Sequence, residues 1–514
     1  MNVGVRRLEI GPINRVEGDV SVQLDIAEGV VREARVKAPL FRGFELMLKG
    51  RDARDALVLT PRICGICSVA QSMAAAEALR SAMGLRMSTN GRYVANLLLA
   101  CENVADHLSH FYLFFMPDLA RGAYAGRPWH AAMCERFNAQ AGSAAADFLP
   151  VRAQWMHITG LLAGKWPHTL AIQPGGSTRP LKRPELMRLE RLIVVFREFL
   201  EKVLFADSLE NVGSIDSLDA LLHWARAHEQ ADFARFVLVA EELGMAGVGG
   251  AQAAFMSFGA YPQPLPDGVV DADVSTNADD AGDAGTVPPA FLFCRGVVDA
   301  GVREKLDTST IMEDASAAWM QANASQHPLH GDTTPLADME QKPDAYTWCK
   351  APRLRGRVAE VGALARQVVA GHPLALDLLR HNGGRGSVLA RVVMRLLEVA
   401  LILPAMQRWV RAIEPEQPFC AHGKMPAQAQ GEGLVEAARG SLGHWLVVRD
   451  GKVARYQIIA PTTWNFSPRD GNGLPGALEQ ALVGVHVDAD APASTPMLQH
   501  IIRSFDPCMV CTVH

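Results

Sequence analysis

The chain has 514 residues, of which 49% are apolar and 20% charged, with a formal net charge of −5 at pH 7. That balance is ordinary for a globular protein and excludes a wholly disordered or fibrous chain; length alone suggests roughly three domains. No nucleic-acid partner is expected, since that asks for a strongly basic domain. No membrane span is expected either, because no apolar run approaches the ~18 residues one needs.

The opening residues, MNVGVRRLEI, have two arginines but no apolar stretch behind them, so no signal peptide is expected. Residues 8–37 alternate short apolar stretches with Gly11-Pro12, Gly18 and Glu28-Gly29, which predicts strands. From about residue 88 the pattern turns helical. Residues 92–116 place Leu97, Cys101, Val104, Leu108, Phe111 and Phe115 at helical spacing. Residues 185–205 do the same with Leu186, Leu189, Ile193, Phe196, Leu200 and Val203, behind Pro184, a residue suited to a first helical turn. Residues 217–244 and 388–413 read as two further long helices, and 440–514 as mixed strand and turn. Residues 262–289 are acidic, rich in Pro, Asp, Ala and Gly and free of aromatics, so they read as an acidic surface insertion. No internal repeat, Walker loop or strand-borne G-x-G-x-x-G is evident, so no nucleotide site is expected.

The nine cysteines are too sparse, and odd in number, for a disulfide scaffold, which points to a reducing compartment. Cys101, Cys134, Cys294, Cys349 and Cys420 stand alone and read as packing residues, whereas Cys64/Cys67 and Cys508/Cys511 form C-x-x-C pairs near the two ends. Three readings compete: a structural zinc site of four thiolates, two dithiol redox sites, or a soft transition-metal centre built from both ends over a helical core. A local zinc staple would not need ligands so far apart, and the βαβ context of a thioredoxin-like motif is missing. Spacing leaves zinc and a soft metal open.

The residues around the pairs carry more. Arg15-Val16-Glu17-Gly18, Phe41-Arg42-Gly43-Phe44-Glu45, Gly50-Arg51-Asp52, Arg62-Ile63-Cys64-Gly65-Ile66-Cys67, Asp106-His107-Leu108, Lys350-Ala351-Pro352-Arg353, Ala438-Arg439-Gly440, Pro461-Thr462-Thr463-Trp464-Asn465 and Asp506-Pro507-Cys508 follow one another along the chain. With these motifs in this order, the sequence resembles the large subunit of nickel–iron hydrogenases over nearly its whole length. The resemblance implies an α+β, predominantly helical fold. A central bundle of long helices is expected, with N-terminal and C-terminal β-containing regions meeting at the active site. It replaces the three-domain expectation with one interlocked unit over 1–514.

By the same resemblance, Cys64 and Cys508 are terminal nickel ligands. Cys67 and Cys511 bridge nickel to an iron carrying carbon monoxide and two cyanides. Glu17 corresponds to a proton-relay glutamate, with pairing to Arg15 as the plainer alternative. Glu45, His514 and the main-chain carbonyl of Ile458 correspond to a Mg2+ site. Arg439 corresponds to a guanidinium over the open metal position, oriented by Asp106 and Asp506, and Thr462 to a hydroxyl donor to a cyanide. The residue before the arginine is commonly proline in the family and is Ala438 here.

Three features resemble the regulatory, hydrogen-sensing subgroup. Gln71 stands where energy-conserving members usually have histidine. Ile66 and Phe114 stand where smaller valine and leucine line the gas path. The chain stops at His514, without the tail most precursors carry. The subgroup implies slow H2 cleavage, a partner small subunit holding the Fe–S clusters, a histidine protein kinase, maturation factors and a cytoplasmic location. The alternative is an uptake hydrogenase feeding respiration.

Overall fold

The computed structural model describes residues 5–264, 291–321, 324–488 and 495–512. The expected acidic insertion, apart from residues 262–264, and His514 therefore lie outside the described residues. Near the N-terminus β1 (Arg6–Ile10), β2 (Ser21–Ala27) and β3 (Val30–Lys37) form an antiparallel sheet in sequence order. Val22, Leu24, Val31, Ala34 and Val36 bury one face, the alternation that a pleated sheet with one solvated side imposes. The β1–β2 link is no tight hairpin. Residues 11–20 run along the C-terminal segment instead, where the Met509 N–H donates to the Glu17 carbonyl at 2.8 Å and Glu17 forms a parallel bridge with Cys508.

The first long helix, α1 (Ser68–Met83), starts directly after Cys67 and stops at Gly84, whose φ of 59° supplies the left-handed cap. Its run of alanines favours helix and leaves little side chain to hold a neighbour away. Next, α2 (Thr89–Ser109) is capped by Ser88, whose hydroxyl accepts the Gly91 N–H at 3.2 Å. It continues as a π-helical stretch, His110–Phe115. Glu77 of α1 accepts from Arg80 at 2.6 Å and from Arg92 of α2 at 2.9 Å, which ties the two helices. Helix α3 (Arg183–Phe199) ends in a second π-helical stretch, Leu200–Leu204.

The expected helix over 217–244 is two helices, α4 (Leu218–Ala227) and α5 (Asp232–Glu242). The break has a tertiary cause. Asp232 is buried at the start of α5, where it accepts from Arg136 at 2.7 and 2.9 Å and from the Tyr112 hydroxyl at 2.9 Å. Three charge-assisted or buried bonds outweigh the continuation of one helical turn. A mixed sheet follows, with β4 (Ala254–Pro262), β5 (Phe291–Asp299) and β6 (Val302–Glu304), and α6 (Ala363–Ala370) packs on it. The buried helix α7 (Val388–Ala412) then packs against both α2 and α3 and completes the long-helix core.

An antiparallel sheet closes the fold: β7 (Gln428–Ala437), β8 (Gly440–Arg449) and β9 (Lys452–Ile459). Beyond it the chain is mainly helical, which corrects the expectation of strand and turn to the end: α8 (Pro461–Asn465), α9 (Ala477–Leu482), α10 (Pro496–Ser504) and α11 (Met509–Thr512). α8, α9 and α11 are too short to show a helical period, and prolines opening α8 and α10 read as turn signals although they suit a first helical turn. The architecture is α+β with the long helices at its centre.

Helix α1 lies directly on β7. A Cβ at Gly433 would run into the carbonyl oxygen of Ala74, and one at Gly431 into that of Ala78. Neither glycine has a positive φ, so the requirement is for space. This contact positions Cys67 and Gln71, at the start of α1, relative to Arg439 and His444 on the β7–β8 hairpin. Gly433→Ala is therefore expected to destabilise the fold by about 1–3 kcal/mol. Thermal unfolding reads this directly, and an unchanged melting temperature would contradict the close approach.

Candidate metal centre

The four paired cysteines converge. Their sulfurs lie within 4.8 Å of one another, and they are the one such group of His, Cys, Asp or Glu found among the described residues. Cys64 Sγ is 3.5 Å from Cys508 Sγ, Cys67 Sγ is 3.1 Å from Cys511 Sγ, and Cys508 Sγ is 3.1 Å from Cys511 Sγ. All four are buried. Two devices join the ends. One is the Glu17–Cys508 backbone pairing. The other is Arg42, whose guanidinium donates to the carbonyl of Ile63 and to that of Val510 at 2.6 Å. Asp506 sits at φ 56°, a left-handed turn that with Pro507 aims Cys508 at the cluster.

The thiols cannot ionise independently. Hydrogen bonds from Cys508, Cys511 and Cys67 pull the Cys64 thiol well below its usual range. The Cys67 thiol is pushed well up by its bonds to the same sulfurs, and Cys511 by burial and then by Cys508. Alone, the cluster holds one thiolate comfortably; four thiolates need cationic charge among them. A buried set of four soft donors facing one another fits transition metals. The five singleton cysteines join no such cluster.

Arg439 overlooks the cluster. Its Nη1 donates to Asp106 Oδ2 at 2.6 Å, its Nε to the Asp506 carbonyl at 3.0 Å, and its Nη2 lies 3.2 Å from Asp506 Oδ1 without hydrogen-bond geometry. Burial disfavours the charge, yet Asp106, Asp506, Cys508 and Cys67 together hold the guanidinium firmly protonated. Burial and the neighbouring Asp506 push the Asp106 carboxyl up to about 7 in spite of Arg439. A second guanidinium, Arg395 on α7, approaches Asp506 Oδ2 at 3.3 Å, a partner the sequence reading missed. The carbonyl of Ala438, in the place of the family's proline, accepts from Arg366 Nη2 at 3.1 Å, and Arg366 also binds Glu398 and Glu436.

Glu17 is half-buried, and burial followed by the charge of Cys64 raises its carboxyl, with Arg439 and Arg42 opposing. It is not paired with Arg15, which reaches Asp118 instead. The Thr462 hydroxyl accepts the Cys508 N–H at 3.0 Å, which leaves its own proton to donate. Ile66 is half-buried and packs against the core, and Phe114 is half-buried on the π-helical stretch. Gln71 is buried, and its Oε1 is 2.9 Å from His444 Nε2, whose Nδ1 is 2.8 Å from the Tyr456 hydroxyl. Burial keeps the Tyr456 phenol protonated, so it donates to Nδ1 and the imidazole donates to Gln71. The Gly443-His444-Trp445 motif carried His444 in the sequence without a role, and Tyr456 was not singled out, since neither stands near Gln71 along the chain.

Glu45 is buried beside a small cavity of about 20 Å³ that Ile458, Glu313, Thr333 and Lys350 also line. Its Oε1 accepts the Ile458 N–H at 2.7 Å, and the Thr333 hydroxyl donates to Oε2. Lys350 Nζ donates to Glu313 Oε2 at 2.7 Å and to Gln457 Oε1 at 2.8 Å.

Comparison with known proteins decides the family. A family profile described as nickel-dependent hydrogenase matches residues 42–119 and 270–514. The chain belongs to the nickel-dependent hydrogenases. It is similar to the periplasmic NiFeSe hydrogenase large subunit of Desulfomicrobium baculatum, at 28% identity over 99% of this chain and 95% of that one. It is also similar to the Hydrogenase-2 large chain of Escherichia coli, at 27% identity over 99% and 97%. The solved reduced, active form of the Desulfomicrobium baculatum Ni-Fe-Se hydrogenase superposes with a TM-score of 0.80 at 26% identity, covering 99% of this chain and 100% of that one. The chain is thus a hydrogenase large subunit whose four converging thiols form a metal site.

In this hydrogenase, Arg439→Lys keeps the charge but loses the planar fork that two aspartates hold. H2 oxidation by the metal-loaded protein is expected to fall by about 100-fold, the scale for removing one preorganised donor, with nickel and iron content unchanged. Activity near wild type would contradict the role.

Proposed function

We propose that this is the large subunit of a regulatory hydrogenase that cleaves H2 heterolytically and slowly and reports H2 to a histidine protein kinase. In this reading Cys64 and Cys508 would hold nickel, and Cys67 and Cys511 would be shared by nickel and iron. The centre, with carbon monoxide and two cyanides, would supply an open position with Lewis acidity toward H2. Arg439 keeps a fixed positive charge beside that position, oriented by Asp106 and Asp506. Thr462 donates to a cyanide. Glu17, with its proton affinity raised beside Cys64, holds and passes the proton at its carboxylate.

Gln71 is the observation that carries the sensor reading. Four residues past Cys67, an amide whose oxygen is occupied by His444 cannot titrate or carry a proton as histidine would. Proton handling near the bridging thiolate then lacks a titratable group at this position, which suits slow turnover. Ile66 and Phe114 narrow the path by which gas reaches the metals, hindering O2 more than H2. Glu45, with the Ile458 carbonyl and His514, would hold Mg2+, the carboxylate and carbonyl supplying the oxygens such an ion prefers.

Electrons leave through a small subunit carrying Fe–S clusters, because no further cysteine group among the described residues could hold one. Maturation factors insert the metals. The proposed location is the cytoplasm; no described helix is long and apolar enough to cross a membrane. An uptake enzyme is the second reading, favoured by the end-to-end similarity to the uptake hydrogenase large subunit of Azotobacter chroococcum.

A strain lacking this chain separates the two. The sensor reading expects loss of H2-dependent hydrogenase gene expression, with H2 uptake intact once the uptake genes are expressed constitutively. Lost uptake with induction intact would assign the chain to respiration. In the same strain, Gln71→His is expected to raise H2 oxidation and weaken signalling. Ile66→Val with Phe114→Leu is expected to abolish the response under air alone. Wild-type behaviour of either variant removes its residues from the account.

A further inference from the structure

Glu102 is buried in α2, one turn before Asp106, and the mechanism above does not use it. Its carboxylate faces donors from two other segments. Oε2 accepts the Val69 N–H at 2.8 Å and the Trp166 indole N–H at 2.9 Å; Oε1 accepts the Ala70 N–H at 2.9 Å. Val69 and Ala70 are the second and third residues of α1, and Cys67 is the residue at its cap.

The first N–H groups of a helix have no partner within it, and a side-chain oxygen at the cap position usually supplies one. Here the cap residue is Cys67, which makes no side-chain cap bond and whose sulfur belongs to the metal cluster. The acceptor comes from another helix instead. A carboxylate at a helix N-terminus also complements the helix dipole. The segment held in this way carries Cys67 and, four residues on, Gln71.

We propose that Glu102 is a positioning residue for the metal centre: by capping α1 from α2, it fixes where Cys67 and Gln71 stand. The proposal rests on the nickel–iron reading above, which puts an infrared reporter at the site in the form of carbon monoxide and cyanide. Glu102→Gln keeps the volume but turns an N–H2 group toward backbone or indole N–H donors, so the first turn of α1 must shift.

The test uses the assembled, metal-loaded protein with its small subunit. Glu102→Gln is expected to retain nickel and iron, to shift the carbon monoxide and cyanide stretching bands, and to lower kcat for H2 oxidation several-fold with KM unchanged. A lower melting temperature with unmoved bands would overturn the proposal, because the residue would then be merely structural. Trp166→Phe removes one of the three donors and is expected to move the same bands by a smaller amount. If Glu102→Gln fails to assemble and Trp166→Phe leaves the bands in place, the proposal also falls. Wild-type protein without such bands would instead contradict the nickel–iron reading, so the two failures are distinguishable.

Discussion

Four thiols buried within 4.8 Å of one another cannot all be thiolates unless positive charge sits among them. The rest of the structure is arranged around that constraint. It requires ligands from both ends of a long chain, and neither C-x-x-C pair suffices alone. The Glu17–Cys508 backbone pairing and the two carbonyls held by Arg42 join those ends. Burial then makes each remaining charge consequential. The Arg439 guanidinium, two aspartates and Arg395 form a mutually compensating group beside the thiols.

Positioning is delegated to residues that are not themselves metal ligands. The alanine-rich face of α1 meets the glycines of β7 at backbone distance, so the helix that begins at Cys67 has little freedom to slide. The hydrogen-bonded row Tyr456–His444–Gln71 links β9, β8 and α1. Behind Arg439, Arg366 grips the carbonyls of Ala437 and Ala438 while two buried glutamates balance its charge. Such networks stay rigid only when each member is satisfied.

Much of this was legible in the sequence, and the reason is local. Periodicity marks α2, α3 and α7 because each is long and packs an apolar face. The paired cysteines and the Asp106, Arg439 and Asp506 motifs stand out because their chemistry is rare. Long-range pairing was not legible. Nothing near Asp232 along the chain announces Arg136 and Tyr112, so the break between α4 and α5 was missed. Glu102 was not singled out, and Lys350 read as part of a motif, since their partners Val69, Ala70, Trp166, Glu313 and Gln457 lie elsewhere in the chain. The short helices after β9 escaped for a different reason: α8, α9 and α11 have too few turns to display a period, and the helical spacing of Met497, Leu498, Ile501 and Ile502 in α10 was not read.

The central claim is that both ends of the chain build one nickel–iron site. Metal analysis of the purified protein with its small subunit tests it most directly, provided iron bound by the small subunit is counted separately. The account predicts about one nickel and one further iron per large subunit, both lost in Cys67→Ala and in Cys511→Ala, since the proposed function has each of these cysteines shared by the two metals. One zinc per chain in place of nickel and iron would contradict it.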